Sequence, residues 1–233
     1  MLTNAPKGTK DTLPSQVYKW HFVEKAFADI CAKYGFKEIR TPMFEHTELF
    51  ARGVGDTTDI VQKEMYTFQD YAKRSITLKP EGTSPVARSF VEHKAYADVQ
   101  PSKYYYVTPC FRYEKPQSGR LREFHQFGIE VFGTPNMLAD AEVICLANDF
   151  LQELGITNIE LQINSVGCPH CRENHRKALK EFLAEKYDDL CDTCKDRRSR
   201  SSCQLWCYVC NRWSYKDRNH IHRLCRWISA RIV

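Results

Sequence analysis

The side chains with chemistry in them crowd into one stretch of this sequence, from Glu81 to Glu130. Arg112 and Glu114 lie two residues apart at the end of a β-forming run, and Gln126 and Glu130 lie four apart in another. Within each run such a pair points to one side of a sheet. A sheet face carrying a guanidinium, two carboxylates and an amide makes a poor core and a suitable binding floor. An arginine on a rigid strand offers a fork for an α-phosphate, where charge grows during nucleotidyl transfer; the plain alternative is an ordinary cross-strand salt bridge. Upstream, Lys79-Pro80-Glu81-Gly82-Thr83-Ser84-Pro85 sets a carboxylate and a hydroxyl around a glycine, a pattern able to hold an ammonium group. The same residues also read as a helix start capped by Thr83 or Ser84. Arg120 and Arg122 either reach phosphates or solvate a hairpin tip, and Phe124 either stacks on a purine or packs in the core.

These residues need a scaffold, and the pattern supplies a long β-hairpin over 104–133. Tyr104, Tyr105, Tyr106 and Val107 lead into Phe111, a charged loop covers 115–120, and Phe127, Ile129, Val131 and Phe132 mark the returning strand. Before it, Val23, Ala26, Phe27, Ile30, Cys31 and Tyr34 recur at helical spacing, with Ser15 as N-cap after Pro14 and Gly35 as stop. Residues 37–42 read as a short strand closed by Pro42. A second helix is expected over 139–154, with Ala141, Ile144, Cys145, Ala147, Leu151 and Leu154 inward. A strand follows over 159–163. A third helix over 172–190 would bury Leu179, Phe182, Leu183 and Tyr187. Helices mixed with antiparallel strands, without repeated βαβ units or internal repeats, indicate an α+β fold.

The 233 residues allow one large or two modest domains, and 42% hydrophobic content fits a soluble globular protein. No apolar run approaches the ~20 residues of a membrane span, and the first fourteen residues lack the apolar core of a secretory signal. Eleven cysteines in such a chain point to reduced thiols or metal ligands in the cytoplasm. Cys168, Cys171, Cys191 and Cys194 form a C-x2-C-x19-C-x2-C array that suits a tetrahedral zinc site and suits four free thiols equally. Cys207 and Cys210, followed by His220 and His222, lack the usual histidine spacing. The net charge of +5 is uneven: residues 199–233 carry +6, leaving −1 for residues 1–198. A basic tail is not a basic groove. No P-loop, G-x-G-x-x-G, G-x-S-x-G or H-E-x-x-H motif occurs, so any ATP would bind outside the common glycine-rich cradles.

Taken together the motifs resemble class II aminoacyl-tRNA synthetases, and their wording is similar to the histidyl-tRNA synthetase family. The hairpin resembles motif 2, and the helix and strand ending at Pro42 resemble motif 1. Gly8-Thr9-Lys10-Asp11, the segment from Gly55 to Val61, Lys63-Glu64-Met65-Tyr66-Thr67-Phe68 and Pro80-Glu81-Gly82-Thr83 agree, covering about residues 4–198. The resemblance implies an antiparallel sheet flanked by helices, dimerising through the motif 1 region. It implies that histidine attacks the α-phosphate of ATP with Mg2+ assistance, and that the histidyl group then passes to tRNA(His). On this reading Glu81, Thr83 and Gln126 hold the substrate amino group, Glu130 faces the imidazole, and Gly82 completes the histidine-binding set. Arg112 clamps the α-phosphate as the catalytic residue, Glu114 meets the adenine side, and Phe124 stacks on the base. Gln117, Arg120 and Arg122 belong to the loop that meets the acceptor end or phosphates.

Three segments are therefore expected: a partial catalytic core over 1–164, a helical insertion with four cysteines over 165–198, and a Cys/Trp/Arg-rich tail over 199–233. The tail holds three of the four tryptophans, and no glycine follows Gly167. No segment matches the family's motif 3, its later histidine-specific motif or its anticodon-binding domain. The expectation is a truncated core with an out-of-frame or disordered tail and impaired activity. The alternative is a histidine-sensing paralogue resembling the regulatory subunit of ATP phosphoribosyltransferase. A third reading is a tRNA- or zinc-binding module without enzymatic activity.

Overall fold

The structure, a computed structural model, describes residues 3–54, 61, 64–116, 119–163, scattered positions between 173 and 195, and 229–232. The chain divides into two compact units, Met1–Thr157 and Asn158–Val233. The expected cysteine array, the segment 55–60, Gln117 and most of the tail lie outside the described residues.

The first unit starts with helix α1, Pro14–Lys33. Its cap is Leu13, not Ser15, and no side chain caps it. Pro14 occupies the first turn, where its fixed φ suits the helix and its missing N–H costs nothing. Gly35 ends the helix at φ +76°, with Gly35 N–H on Ala32 O at 3.0 Å and Phe36 N–H on Cys31 O at 2.9 Å. Strand β1 is only Lys37–Glu38, and it runs parallel to strand β5, Ser102–Phe111. β5 pairs antiparallel along its whole length with β6, Glu123–Phe132, from Ser102 opposite Phe132 to Phe111 opposite Glu123. The expected hairpin is thus present with ten paired residues on each side.

Alternation along this hairpin decides where the core goes. Tyr105, Val107, Phe127, Ile129 and Val131 face Phe27, Ile30, Cys31 and Phe36. Phe27 sits between rings, 5.8 Å from Tyr105, 5.2 Å from Phe127 and 5.0 Å from Phe150. Burial pushes the Cys31 thiol up to about 12, so it behaves as an inert core residue. Helix α4, Met137–Glu153, closes this layer, capped by the Asn136 side chain accepting from Leu138 N–H at 2.9 Å. Its inward face differs from the expected one. Leu146 is buried and Phe150 packs against the core, whereas Ala141, Cys145 and Ala147 are exposed. Leu146 and Phe150, one turn apart, reach further than alanine does and set the helix rotation.

A second antiparallel sheet places β4 (Ser75–Leu78) between β2 (Phe44–His46) and β3 (Thr67–Gln69). Buried Thr77 shares hydroxyl hydrogen bonds of 2.9 Å with both Thr47 and Thr67. Helix α2, Thr47–Val54, and helix α3, Thr83–Glu92, flank this sheet, and Arg88 of α3 pairs with Glu45 of β2 and with Glu92. In the second unit β7, Ile159–Gln162, pairs antiparallel with β8, Ser229–Ile232. Within the expected third helix the described positions from 173 to 184 are helical and Tyr187–Asp189 forms a 3-10 turn, with Tyr187 exposed. Leu179, Phe182 and Leu183 lie outside the described residues. No helix among the described residues is long and apolar enough to cross a membrane.

Candidate functional site

The even-numbered face of the β5–β6 hairpin carries the site. Register puts Thr108 beside Gln126, Tyr106 beside Gly128 and Tyr104 beside Glu130, all on the side away from the aromatic core. Gly128 has no side chain because the Tyr106 ring lies across it, and a Cβ there would overlap that ring. The same ring also covers Gly82, where an added Cβ would overlap it too. Tyr106 is therefore wedged between two glycines from separate elements, and it ties the α3 start to the hairpin.

Around the Tyr106 hydroxyl the polar groups converge. It donates to Glu130 Oε1 at 3.3 Å, and the Thr83 hydroxyl lies beside both groups and favours their charged forms. Burial pushes the Glu130 carboxyl above its ordinary value, opposed by the hydrogen bonds from Thr83 and Tyr106 and reinforced by Glu81. Burial also pushes the Tyr106 phenol upward, so it remains a donor at neutral pH. Glu81 spends both oxygens on the start of α3, accepting Thr83 N–H at 2.7 Å and Ser84 N–H at 2.9 Å. Helix capping and site membership, offered by the sequence as alternatives, coincide here, but the cap position is Gly82, and the Glu81 side chain, not Thr83 or Ser84, accepts the first N–H groups. Each oxygen retains a further lone pair.

Gln126 is held just as firmly. Its Oε1 accepts Gly82 N–H at 2.8 Å and the Cys110 thiol at 3.5 Å. A backbone N–H as donor fixes which end of the amide is oxygen, so the amide nitrogen is the end left for a ligand. Cys110 is fully buried, and burial pushes its thiol up to about 11, with Lys79 and Arg112 pulling the other way. It thus stays protonated and able to donate. Lys79 is also fully buried, with Nζ 3.3 Å from Thr41 O and 3.4 Å from its hydroxyl, and burial lowers its pKa.

Arg112 and Glu114 lie just past the end of β5. Arg112 Nε donates to Pro80 O at 2.9 Å, and the guanidinium lies over the Phe124 ring at 5.1 Å. Phe124 is thus a platform for Arg112, and neither reading from the sequence foresaw that. Arg122 stacks on Tyr113 at 3.9 Å and donates to Glu114 O at 3.2 Å. Arg120 makes a loose, exposed ion pair with Glu114 at 3.4 Å. Glu81, Gly82, Thr83, Gln126, Glu130, Arg112 and Phe124 therefore share one locality, and Glu114, Arg120 and Arg122 form its rim.

Tyr106, Gly128, Cys110 and Lys79 escaped the sequence reading. The signal for two of them was present: a glycine inside a strand marks a close approach, and Tyr106 shares the parity of Gln126 across the hairpin. Cys110 and Lys79 gave no local signal, because burial of a lysine is decided by elements distant in sequence. No group of three or more potential metal ligands occurs among the described residues.

Known proteins resemble this chain along most of its length. The family model for histidyl-tRNA synthetase matches residues 8–187. A histidine–tRNA ligase from Caldanaerobacter subterraneus subsp. tengcongensis is 65% identical over 197 residues, 84% of this chain and 47% of its own length. Another from Clostridioides difficile is 60% identical over 201 residues, 86% of this chain and 48% of its own. The chain thus spans about half the length of the curated relatives it matches. Among solved structures, apo histidyl-tRNA synthetase from S. aureus superposes with a TM-score of 0.67 at 34% identity, covering 96% of this chain and 53% of its own. An ATP phosphoribosyltransferase regulatory subunit/histidyl-tRNA synthetase from Bacillus halodurans C gives 0.64 at 21% identity, covering 97% and 60%, and that likeness speaks to the fold alone.

Proposed function

This chain belongs to the histidyl-tRNA synthetase family, and from that premise we propose that the even face of its β5–β6 hairpin is the floor on which histidine and ATP meet. The carrying observation is convergence: the α3 start, through Glu81, Gly82 and Thr83, and the hairpin, through Gln126 and Glu130, meet around one tyrosine hydroxyl. Arg112 stands next to them, held at Pro80 O through Nε, which leaves its terminal nitrogens for a ligand. Such a site binds a zwitterion beside a phosphate.

The roles follow from which groups are free. Glu81 takes the substrate ammonium on its remaining lone pairs, helped by the Thr83 hydroxyl. Gln126, expected on the amino group, suits the carboxylate better, since its oxygen is already occupied and its nitrogen donates. Glu130 accepts from the imidazole N–H. Arg112 neutralises the α-phosphate as the carboxylate attacks it, forming the new C–O–P link while pyrophosphate leaves. Phe124 keeps Arg112 in place and offers its edge to adenine, with Glu114 on that side. Mg2+ enters with the phosphates. In the second step the 3′ hydroxyl of tRNA(His) attacks the activated carbonyl and AMP leaves, with Gln117, Arg120 and Arg122 at the acceptor end. Catalysis of this kind rests on positioning and charge stabilisation, not on a protein nucleophile. A homodimer through the motif 1 region and a cytoplasmic site of action complete the reading. Zinc on Cys168, Cys171, Cys191 and Cys194 is decided by metal analysis: one equivalent per chain supports a four-cysteine centre, none supports free thiols.

Calorimetry with the purified chain tests the reading. Histidine is expected to bind in preference to other amino acids, and Mg-ATP to bind more tightly in its presence. Absence of histidine binding would overturn it. Histidine-dependent ATP–pyrophosphate exchange then separates a synthetase from a histidine sensor, because only the former makes adenylate. The identities of 65% and 60% lie with histidine–tRNA ligases, which favours the synthetase.

A further inference from the structure

Gly8, in the Gly8-Thr9-Lys10-Asp11 motif near the start of the chain, takes no part in the binding roles above, yet it touches the arginines. Its carbonyl accepts Arg122 N–H at 2.7 Å and, more weakly, Glu123 N–H at 3.4 Å. Arg122 O in turn accepts Arg112 N–H at 2.8 Å. The turn that presents Gly8 is closed by Thr9, whose N–H and hydroxyl both donate to Pro6 O, at 3.0 and 2.8 Å. Gly8 itself has φ +89°, a conformation that side chains rarely adopt. A Cβ on it would come within 2.7 Å of Arg122 Cγ and 2.8 Å of Cδ. The absent side chain is what lets Arg122 run past the turn to stack on Tyr113.

We propose that the turn at residues 6–9 is a positioning strap for the arginine pair, with Gly8 fixing Arg122 and, through the Arg122 carbonyl, the backbone of Arg112. This deepens the proposed ATP site and rests on that reading. Past Phe111 and Glu123 the β5–β6 ladder has ended, and these two bonds continue it to the point where Arg112 must hold still. Another anchor of that region is Tyr113 N–H on Glu64 O at 2.6 Å, so segments remote in sequence hold both sides of the hairpin mouth. A displacement of about an ångström in a charge-stabilising group is enough to cost up to a hundredfold in rate.

Hydrogen exchange by NMR on the full chain tests the relay directly. In Gly8→Ala the amides of Arg122 and Arg112 should both exchange at least about tenfold faster, with amides in the middle of β5 unchanged. Mg-ATP affinity should fall about tenfold, while histidine affinity stays within about twofold, because Glu81, Thr83 and Glu130 do not touch the strap. Faster exchange at Arg122 alone, or at neither amide, overturns the proposal. So does an equal loss of histidine and ATP affinity, which would mark a general loss of structure. If Gly8→Ala does not fold, Thr9→Val, which removes only the 2.8 Å hydroxyl bond, should speed the same two amides about threefold, and no change there also overturns it. Failure of the parent chain to bind ATP would reject the nucleotide reading while the exchange data still judge the strap.

Discussion

The two faces of one hairpin divide the work of this protein between them. On the odd face Tyr105, Val107, Phe127, Ile129 and Val131 meet Phe27, Phe36, Leu146 and Phe150. On the even face the same strands present Tyr106, Thr108, Gln126, Gly128 and Glu130. A step of one residue separates a close-packed aromatic layer from a polar floor. The layer is stabilised by area removed from water; the floor costs stability, because it buries a carboxyl and a phenol in exchange for fixed donors and acceptors. Rigidity made on one side is what holds geometry on the other.

The largest effect should come from breaking the odd face. Phe27→Ala removes a ring in contact with three others, at a cost of about 3–5 kcal/mol, read as a drop in the midpoint of denaturant unfolding. Ligand binding should disappear only as the fold does. Next, Arg112→Ala should leave unfolding within about 1 kcal/mol yet weaken Mg-ATP binding by about 10–100-fold through loss of charge-assisted bonds. If the unfolding midpoint moved as far as binding did, the division between faces would be wrong.

Glu130→Gln sharpens the contrast further. A carboxyl whose pKa is raised in the folded state adds stability below its unfolded pKa, and that stability is lost as pH rises through the raised value. The parent should therefore lose stability over that window, and the glutamine variant should show a flatter profile there and be equal or slightly more stable at pH 7. Histidine affinity should fall about tenfold. A variant both less stable at pH 7 and unaltered in binding would assign Glu130 to the scaffold. The smallest effect is expected at the rim: Arg120→Ala breaks an exposed pair and should change stability by less than about 0.5 kcal/mol, while weakening tRNA acceptor-stem binding in a salt-dependent way.

Much of this was legible in the sequence. The hairpin, the α1 helix with its Gly35 stop and the shared side of Gln126 and Glu130 follow from period, punctuation and residue type, which are local properties; that Glu81 and Arg112 belong with them was implied by the family resemblance. The rotation of α4 was not legible, because Ala141, Cys145 and Ala147 look apolar enough to be buried until the larger Leu146 and Phe150 compete for the same core. Nor was the cap of α1, which falls at Leu13 because Pro14 already occupies the first turn.

By itself the sequence determined which groups this protein can offer and on which face of each strand they stand, since alternation is built into the extended backbone. Only the tertiary structure decided what those groups are free to do. Gln126 turns its nitrogen outward because Gly82 and Cys110 occupy its oxygen, and Tyr106 closes over two glycines that are 46 residues apart in sequence. Arg112 is steadied by Pro80, Phe124 and, at one remove, Gly8. The physical reason is the same in each case: a polar group's remaining capacity depends on which partners reach it first, and those partners are brought by folding.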